Sequence, residues 1–276
     1  MAAAPPPGLS YFCGARRGWL VLSDDLGLPT RLVLWEPLSG TEIPLPRLRL
    51  WPVTQVLISG DPLASSHWMA VAIQRIRADT YALFFWRPGD AAWSDPSGAI
   101  PAFAIPSVEF HAGIMYCNTD TSNIFIYNLN LGTSSAPALL QVSELSANEF
   151  IHSRRVVACG GQILIVLLFG WPHPSHAEIY MPLTTPRWPF QIGDRVTDLA
   201  GYSLFLGDGD AFALPANEFP AIKGSRIHCL KDKVLGLVFD LKTDAVEEIP
   251  QLREEDGSIS WLPYSWFCPR RPFLED

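Results

Sequence analysis

The feature that most constrains the fold of this chain is a strand–turn–strand unit that recurs along its whole length. Its clearest copy is residues 32–46 (LVLWEPLSGTEIPLP), where an apolar run ends in an aromatic, a turn with Ser39 and Gly40 follows, and apolar alternation resumes at Ile43. Apolar runs separated by such a turn predict two antiparallel strands. An aromatic residue precedes the turn in every copy: Trp35, Trp86, Tyr127, Tyr180 and Phe239.

The spacing of these copies predicts the architecture. They recur about every 40–60 residues, with three or four strand-sized runs in each, which is typical of propeller blades. Small sheets have apolar faces that they cannot bury alone, so blades stack face to face. We therefore expect an all-β, kelch-like propeller of small antiparallel blades with very little helix, limited to residues 143–150 and 216–219. Five repeats are visible, and residues 47–63 or the chain ends could supply a sixth blade. A β-sandwich is the alternative, but its strands usually turn over every ~8–12 residues without a longer repeat.

Composition limits the domain organisation. Hydrophobic residues make up 48% and charged residues 17% of the 276 residues, which fits one large globular domain. The sequence predicts a disordered Ala/Pro leader at residues 1–10, a single propeller domain at residues 11–269 and a charged tail at residues 270–276.

Charge and cysteine usage exclude several partners. A net charge of -8 argues against a phosphate-binding surface and hence against nucleic acid. The five cysteines form no CxxC pair, so we expect reduced thiols and a cytoplasmic or nuclear location rather than a disulfide framework. Residues 156–172 carry no charge, but Gly160 and Gly161 divide them. The apolar run that follows is far shorter than the ~20 residues of a membrane-spanning helix, so it predicts a buried hairpin and no membrane partner.

A segment near the C-terminal end carries family information. Residues 199–224 read LAGYSLFLGDGDAFALPANEFPAIKG. This segment resembles the signature of the plant KIB-type β-propeller domain, known as a domain of unknown function in F-box proteins. The residues that carry the match are Phe205, Leu206, Gly207, Pro215, Phe219, Pro220, Lys223 and Gly224.

Two further stretches agree with the same family. Its opening motif is matched by Gly18 and Trp19, followed by Pro37, Gly40 and Pro46. Its closing "WF-P" is matched at residues 266–269, so the resemblance covers roughly residues 14–269. The chain departs from the family pattern mainly at residues 221, 225, 228 and 229.

The resemblance implies a role in target recognition. Relatives that carry an F-box resemble substrate receptors of SCF ubiquitin ligases, in which the F-box docks the ligase scaffold and the propeller selects the target. An F-box is missing from this sequence, so we expect a non-catalytic protein-interaction module with an unidentified protein partner and no direct docking to the SCF scaffold. A truncated relative with no independent activity is an alternative.

Motifs for catalysis, metals and cofactors are weak. Residues 207–210 (GDGD) lack the spacing of a Ca²⁺ loop and are better explained as a hairpin loop. His173 and His176 lie beside Pro172 and Pro174, which exclude a helix that would direct both imidazoles at one metal. No nucleophile elbow or phosphate-binding loop occurs. We therefore expect no catalytic residues, no metal and no cofactor; the alternative is a hydrolase or sugar-binding propeller with an axial pocket.

Tryptophans beside turns and prolines are the remaining functional lead. Loops on a propeller face could expose them, and exposed Trp is favoured as a binding anchor. Packing between blades is the alternative for each ring. The candidate partner-binding residues are Trp51, Trp93, Trp171 and Trp188.

Overall fold

Five small antiparallel sheets make up the described part of the chain. The computed structural model describes residues 4–16, 18–25, 27–48, 52–94, 98–105, 107–133, 135–144, 151–183, 191–207, 211–231 and 235–249. Within these ranges there are strands and turns but no helix. Residues 216–219, predicted to be helical, form a turn, and most of residues 143–150 lie outside the described ranges. The all-β class is confirmed.

Blades 1 to 3 each contain four strands in sequence order. Blade 1 consists of β1 (Tyr11–Arg16), β2 (Trp19–Ser23), β3 (Leu32–Glu36) and β4 (Thr41–Leu45). Blade 2 consists of β5 (Val53–Ile58), β6 (Ala70–Arg77), β7 (Thr80–Trp86) and β8 (Ala99–Pro101). Blade 3 consists of β9 (Ser107–His111), β10 (Ile114–Asn118), β11 (Asn123–Asn128) and β12 (Ala138–Glu144).

Blade 5 departs from this pattern. Blade 4 is regular, with β13 (Ile151–Cys159), β14 (Gln162–Phe169), β15 (His176–Leu183) and β16 (Gln191–Val196). Blade 5 has five strands: β17 (Tyr202–Leu206), β18 (Ala211–Pro215), β19 (Arg226–Lys231), β20 (Leu235–Asp240) and β21 (Ala245–Ile249). Their order is β18-β17-β19-β20-β21, and β17 pairs in parallel with β19. The sequence predicted a hairpin loop at residues 207–210, and β17 and β18 pair antiparallel on either side of it. The inner position of this hairpin and the parallel pairing of β17 with β19 were not predicted.

The five aromatic residues that defined the repeat occupy equivalent places. Each lies on the strand that leads into the last hairpin of its blade, namely β3, β7, β11, β15 or β20. The prediction of five blades from this spacing is confirmed. Residues 53–58, considered as part of a sixth blade, instead form the first strand of blade 2.

Apolar side chains from neighbouring blades pack face to face. Separate cores join blades 1 and 2, 2 and 3, 3 and 4, and 4 and 5. The first strand of one blade also contacts the first strand of the next, as in β1 with β5 and β9 with β13. Leu9, before β1, packs on the other face of blade 1 against Leu22, Val33 and Trp35.

The most apolar region of the sequence, at residues 156–172, contributes the β13–β14 hairpin of blade 4. β13 and β14 pair across the turn at Gly160 and Gly161, and Val157, Ile165 and Val166 are fully buried. The predicted buried hairpin is confirmed. Among the described residues, no helix is long and apolar enough to cross a membrane.

Candidate functional site

The two ends of the inner strands define two faces of the molecule. We call the end with the β9–β10 turn (Ala112, Gly113) and the β13–β14 turn (Gly160, Gly161) the turn face. All four residues have positive φ, from 48° to 76°, as two-residue hairpin turns require. The opposite end, where β13 begins, is called the entry face; Ile151 pairs there with Phe169, the last residue of β14.

A cavity of about 660 Å³ opens at the turn face, between residues of blades 2 to 5. The hairpin turns of blades 3 and 4 form part of its wall, with Tyr202 and Glu218 from blade 5 and Ser59 from blade 2. Small residues in these turns leave room that larger side chains would fill. The volume lies within the range of ligand pockets, and the sequence did not predict it because the turns that meet there are far apart in the chain.

The chemistry of this cavity is sparse. His111 and Cys159 both line it, but among the described residues no hydrogen bond joins them. Burial raises the pKa of the Cys159 thiol to about 11, whereas a nucleophilic cysteine needs a lowered pKa. The described ranges contain no group of three His, Cys, Asp or Glu side chains placed to hold a metal ion.

A buried ion pair links two blades near the cavity. The Arg16 guanidinium, at the end of β1, pairs with the Glu109 carboxylate on β9, and both side chains are more than nine-tenths buried. Glu109 also accepts the backbone N–H of Phe110 at 2.8 Å. The Arg16 guanidinium lies 5.0 Å from the centre of the Phe110 ring, and Phe110 lines the cavity. The sequence analysis missed this pair; a carboxylate in the middle of the predicted strand at residues 107–111 is the signal that could have indicated it.

Among the described residues, the most exposed large apolar side chain lies on the entry face. Trp171 is 88% exposed and lies in the loop between β14 and β15. Its ring is 6.5 Å from that of His152, at the start of β13.

The Trp171 loop is held by its own backbone. The Ser175 N–H donates to the Phe169 carbonyl at 2.7 Å. Gly170 has φ 121°, and a Cβ there would lie 2.6 Å from the His173 carbonyl oxygen. Only glycine fits this conformation, so the chain that presents the indole is tightly constrained.

Polar residues surround the base of this loop. His176 packs on Phe169, with 5.9 Å between ring centres, and its Nε2 lies 3.4 Å from a Glu178 oxygen. Burial raises the pKa of Glu178, but hydrogen bonds from Tyr180 and His176 and the charge of Arg195 outweigh it, so the pKa is lowered overall. Glu178 is therefore ionised at neutral pH, and its carboxylate contacts Tyr180, His176 and Arg195.

The other candidate tryptophans differ from Trp171. Trp93 is half-buried and packs against the core between blades 1 and 2. Its ring centre is 6.4 Å from that of Trp86, and its Nε1 donates to the Pro46 carbonyl at 2.7 Å. Trp51 and Trp188 lie outside the described residues. The partner-binding role of all four stays a prediction, and Trp171 is the one that is both described and exposed.

The signature residues of the opening motif support blade 1. Gly18 (φ 81°) lies in the β1–β2 turn. Trp19 is fully buried, and its Nε1 donates to Asp61 at 3.1 Å. Pro37 and Gly40 lie in the β3–β4 turn, which the Gly40 N–H closes by donating to the Glu36 carbonyl at 2.8 Å.

The second signature segment builds the inner hairpin of blade 5. The Phe205 ring stacks between Phe212 at 5.3 Å and His228 at 4.5 Å, and Leu206 is buried in the core shared with blade 4. Gly207 follows at the end of β17, and Pro215 ends β18.

The segment that leads from this hairpin into β19 is held against β17. The Ser203 hydroxyl donates to the Lys223 carbonyl at 2.5 Å, and a Cβ on Gly224 would lie 3.0 Å from the Cα of Gly201. Phe219 accepts a turn hydrogen bond from Ile222 at 2.8 Å, and Pro220 is exposed. These signature residues therefore shape the fold.

A comparison with models of known protein families identifies the family of this chain. The model described as the KIB1-4 β-propeller matches residues 2–258, nearly the whole chain. The chain belongs to the KIB1-4 β-propeller family. The resemblance seen in the signature residues is thereby confirmed.

Solved structures similar to this KIB1-4 β-propeller share little sequence with it. BBS1N in complex with ARL6DN is 11% identical, with a TM-score of 0.44 and coverage of 91% of this chain and 68% of that one. Sqt1 of Saccharomyces cerevisiae is 10% identical, with a TM-score of 0.43 and coverage of 90% and 64%. The Cps50 (Swd1) propeller of Myceliophteria thermophila is 11% identical, with a TM-score of 0.40 and coverage of 86% and 82%. No curated protein matches the sequence of the KIB1-4 β-propeller.

Proposed function

We propose that this KIB1-4 β-propeller is a non-catalytic protein-interaction module that binds its partner through the entry face, with Trp171 as the anchor. The observation that carries the proposal is an indole that is 88% exposed on a loop with a constrained backbone. A rigid, exposed Trp gives a partner a large apolar contact at little entropic cost, and Trp is enriched among residues that dominate binding energy.

The family suggests the setting of this interaction. In this proposal the propeller selects a target, as in plant F-box ubiquitin-ligase adaptors, and does not itself contact the SCF scaffold. The partner is a protein, and neither nucleic acid nor a membrane is involved. The compartment is the cytoplasm or nucleus, which is supported by the four described cysteines that are free thiols.

The second candidate function, a hydrolase or sugar-binding propeller, is favoured only by the cavity at the turn face. Its wall includes His111 and Glu218, but the raised pKa of Cys159 leaves it without an activated thiol. A cavity ligand would contact the turn face, whereas the proposed partner contacts the entry face. The two functions can therefore be separated by mutation.

The test is affinity capture from plant extract with wild-type chain and the Trp171→Ala variant. Because truncating a central Trp typically costs about 2 kcal/mol or more of binding free energy, roughly 30-fold in affinity, we expect the variant to lose a partner that wild type recovers. Leu38→Ala is the matched control: Leu38 is 54% exposed but lies in the β3–β4 turn, and its variant should retain the partner.

Two results would overturn the proposal. One is equal recovery of every partner by wild type and Trp171→Ala. The other is turnover of a small substrate by the purified chain that is lost on mutation of His111 or Glu218, because that result would place the function in the cavity.

A further inference from the structure

The outer strand of blade 3, β12, presents exposed apolar side chains at the edge of its sheet. It pairs with β11 on one side, and among the described strands it has no neighbour on the other. Its apolar side chains are exposed: Leu139 by 46%, Leu140 by 57% and Val142 by 47%. A strand with a free row of backbone donors and acceptors and exposed apolar side chains is a template for another strand.

The outer strands of the other four blades carry features that block such pairing. β4 contains Glu42 and Pro44, β8 has three residues and ends at Pro101, β16 contains Asp194 and Arg195, and β21 contains Glu247 and Glu248. Charges and prolines are the usual means by which edges avoid edge-to-edge contact. In β12 the only charged residue is Glu144, at its end, and there is no proline. Among the described outer strands, β12 is thus the one that has neither a proline nor a charged residue before its last position.

We propose that β12 pairs antiparallel with β12 of a second copy of this chain, about a two-fold axis at Gln141. In this register Leu140 of each copy lies opposite Val142 of the other, which gives two such pairs. The two Gln141 side chains lie next to each other at the axis. Glu144 then faces Ala138, so no like charges are opposed. A two-fold interface must be self-complementary, and the sequence ALLQVSE meets that requirement.

The dimer should be weak. A ladder of seven residues buries much less than the ~1,200 Å² of a stable interface. β12 also contains a bulge at Leu140: Gln141 pairs with Ile126 of β11 and Leu139 pairs with the next residue, Tyr127, so that Leu140 has no partner on β11. Such a bulge opposes edge pairing. We expect a dissociation constant on the order of 10–100 µM.

The test is sedimentation velocity of the purified chain from about 1 µM to about 500 µM, a range chosen to span that constant. Wild type should shift from monomer to dimer. Leu140→Lys and Val142→Glu should each raise the dissociation constant at least about tenfold, because each places two charges against apolar side chains. Val246→Lys is the control: Val246 is 39% exposed on β21, and its variant should dimerise as wild type does.

Combining the two substitutions tests the register. In the proposed pairing a Leu140→Lys chain mixed with a Val142→Glu chain, or the double variant alone, places lysine opposite glutamate and should regain dimerisation. A wild-type chain that stays monomeric over the whole concentration range overturns the proposal. It does so even if β12 pairs with an extended strand of another protein. So does a dimer that both single variants leave intact, or single-variant losses that neither the mixture nor the double variant reverses.

Discussion

At the scale of single residues, the ion pair between Arg16 and Glu109 joins two blades that are not neighbours in the sequence. It links the first strands of blades 1 and 3, and both side chains are buried. Neither charge can be solvated if its partner is removed. Losing one member of a buried pair therefore costs far more than the pair itself contributes.

We predict that Glu109→Gln lowers the free energy of unfolding by about 3 kcal/mol or more, measured by urea denaturation. Glu42→Gln is the matched control, because the Glu42–Arg31 pair has both side chains more than two-fifths exposed and such pairs contribute ~1 kcal/mol at most. The combined change Arg16→Met and Glu109→Leu should recover most of the loss. A Glu109→Gln protein as stable as the Glu42→Gln protein would show that the pair is not important for stability.

At the scale of strands, the contact between β1 and β5 depends on a glycine. Gly14 lies at the bulge in β1, with φ 156°. A Cβ there would overlap the backbone carbonyl oxygen of Val56 on β5. Because backbone cannot move aside as a flexible side chain can, a larger residue would push blades 1 and 2 apart.

We predict that Gly14→Ala lowers the free energy of unfolding by about 2–4 kcal/mol, combining overpacking with backbone strain. Gly89→Ala serves as control, because Gly89 has φ 94° but nothing within 4 Å of the added Cβ, so only about 1 kcal/mol should be lost. Thermal unfolding of the two variants side by side measures the difference. Equal losses would mean that strain alone, and not the approach of β5, explains the need for glycine.

The alternation of apolar residues that marks a strand depends only on a short stretch of chain. The sequence therefore predicted most of the strands and turns within each blade. The aromatics from Trp35 to Phe239 marked the corresponding strand of every blade, because each copy needs the same apolar strand before the same kind of turn. The hairpin loop at residues 207–210 was predicted, but the position of β18 as the inner strand of blade 5 was not, because that position depends on Ala211 and Leu206 packing against blade 4.

At the scale of the whole molecule, features formed by several blades were beyond sequence reasoning. The cavity at the turn face requires turns from distant segments to meet, and the Arg16–Glu109 pair joins residues 93 positions apart. The candidate site was only partly predictable: tryptophans near turns were identified, but their neighbours decide which are exposed. Trp93 is held by Pro46 and Trp86, whereas Trp171 projects from the entry face.

The central claim is that a protein partner binds the entry face at Trp171, and site-specific photo-crosslinking tests it most directly. A photoreactive amino acid would replace Trp171 in one sample and Leu38, 54% exposed on the turn face, in the other, each in plant extract. We predict a discrete crosslinked protein from position 171, suppressed by excess wild-type chain, and none from position 38. Crosslinks of the same protein from position 38 alone, or from both positions equally, would contradict the claim.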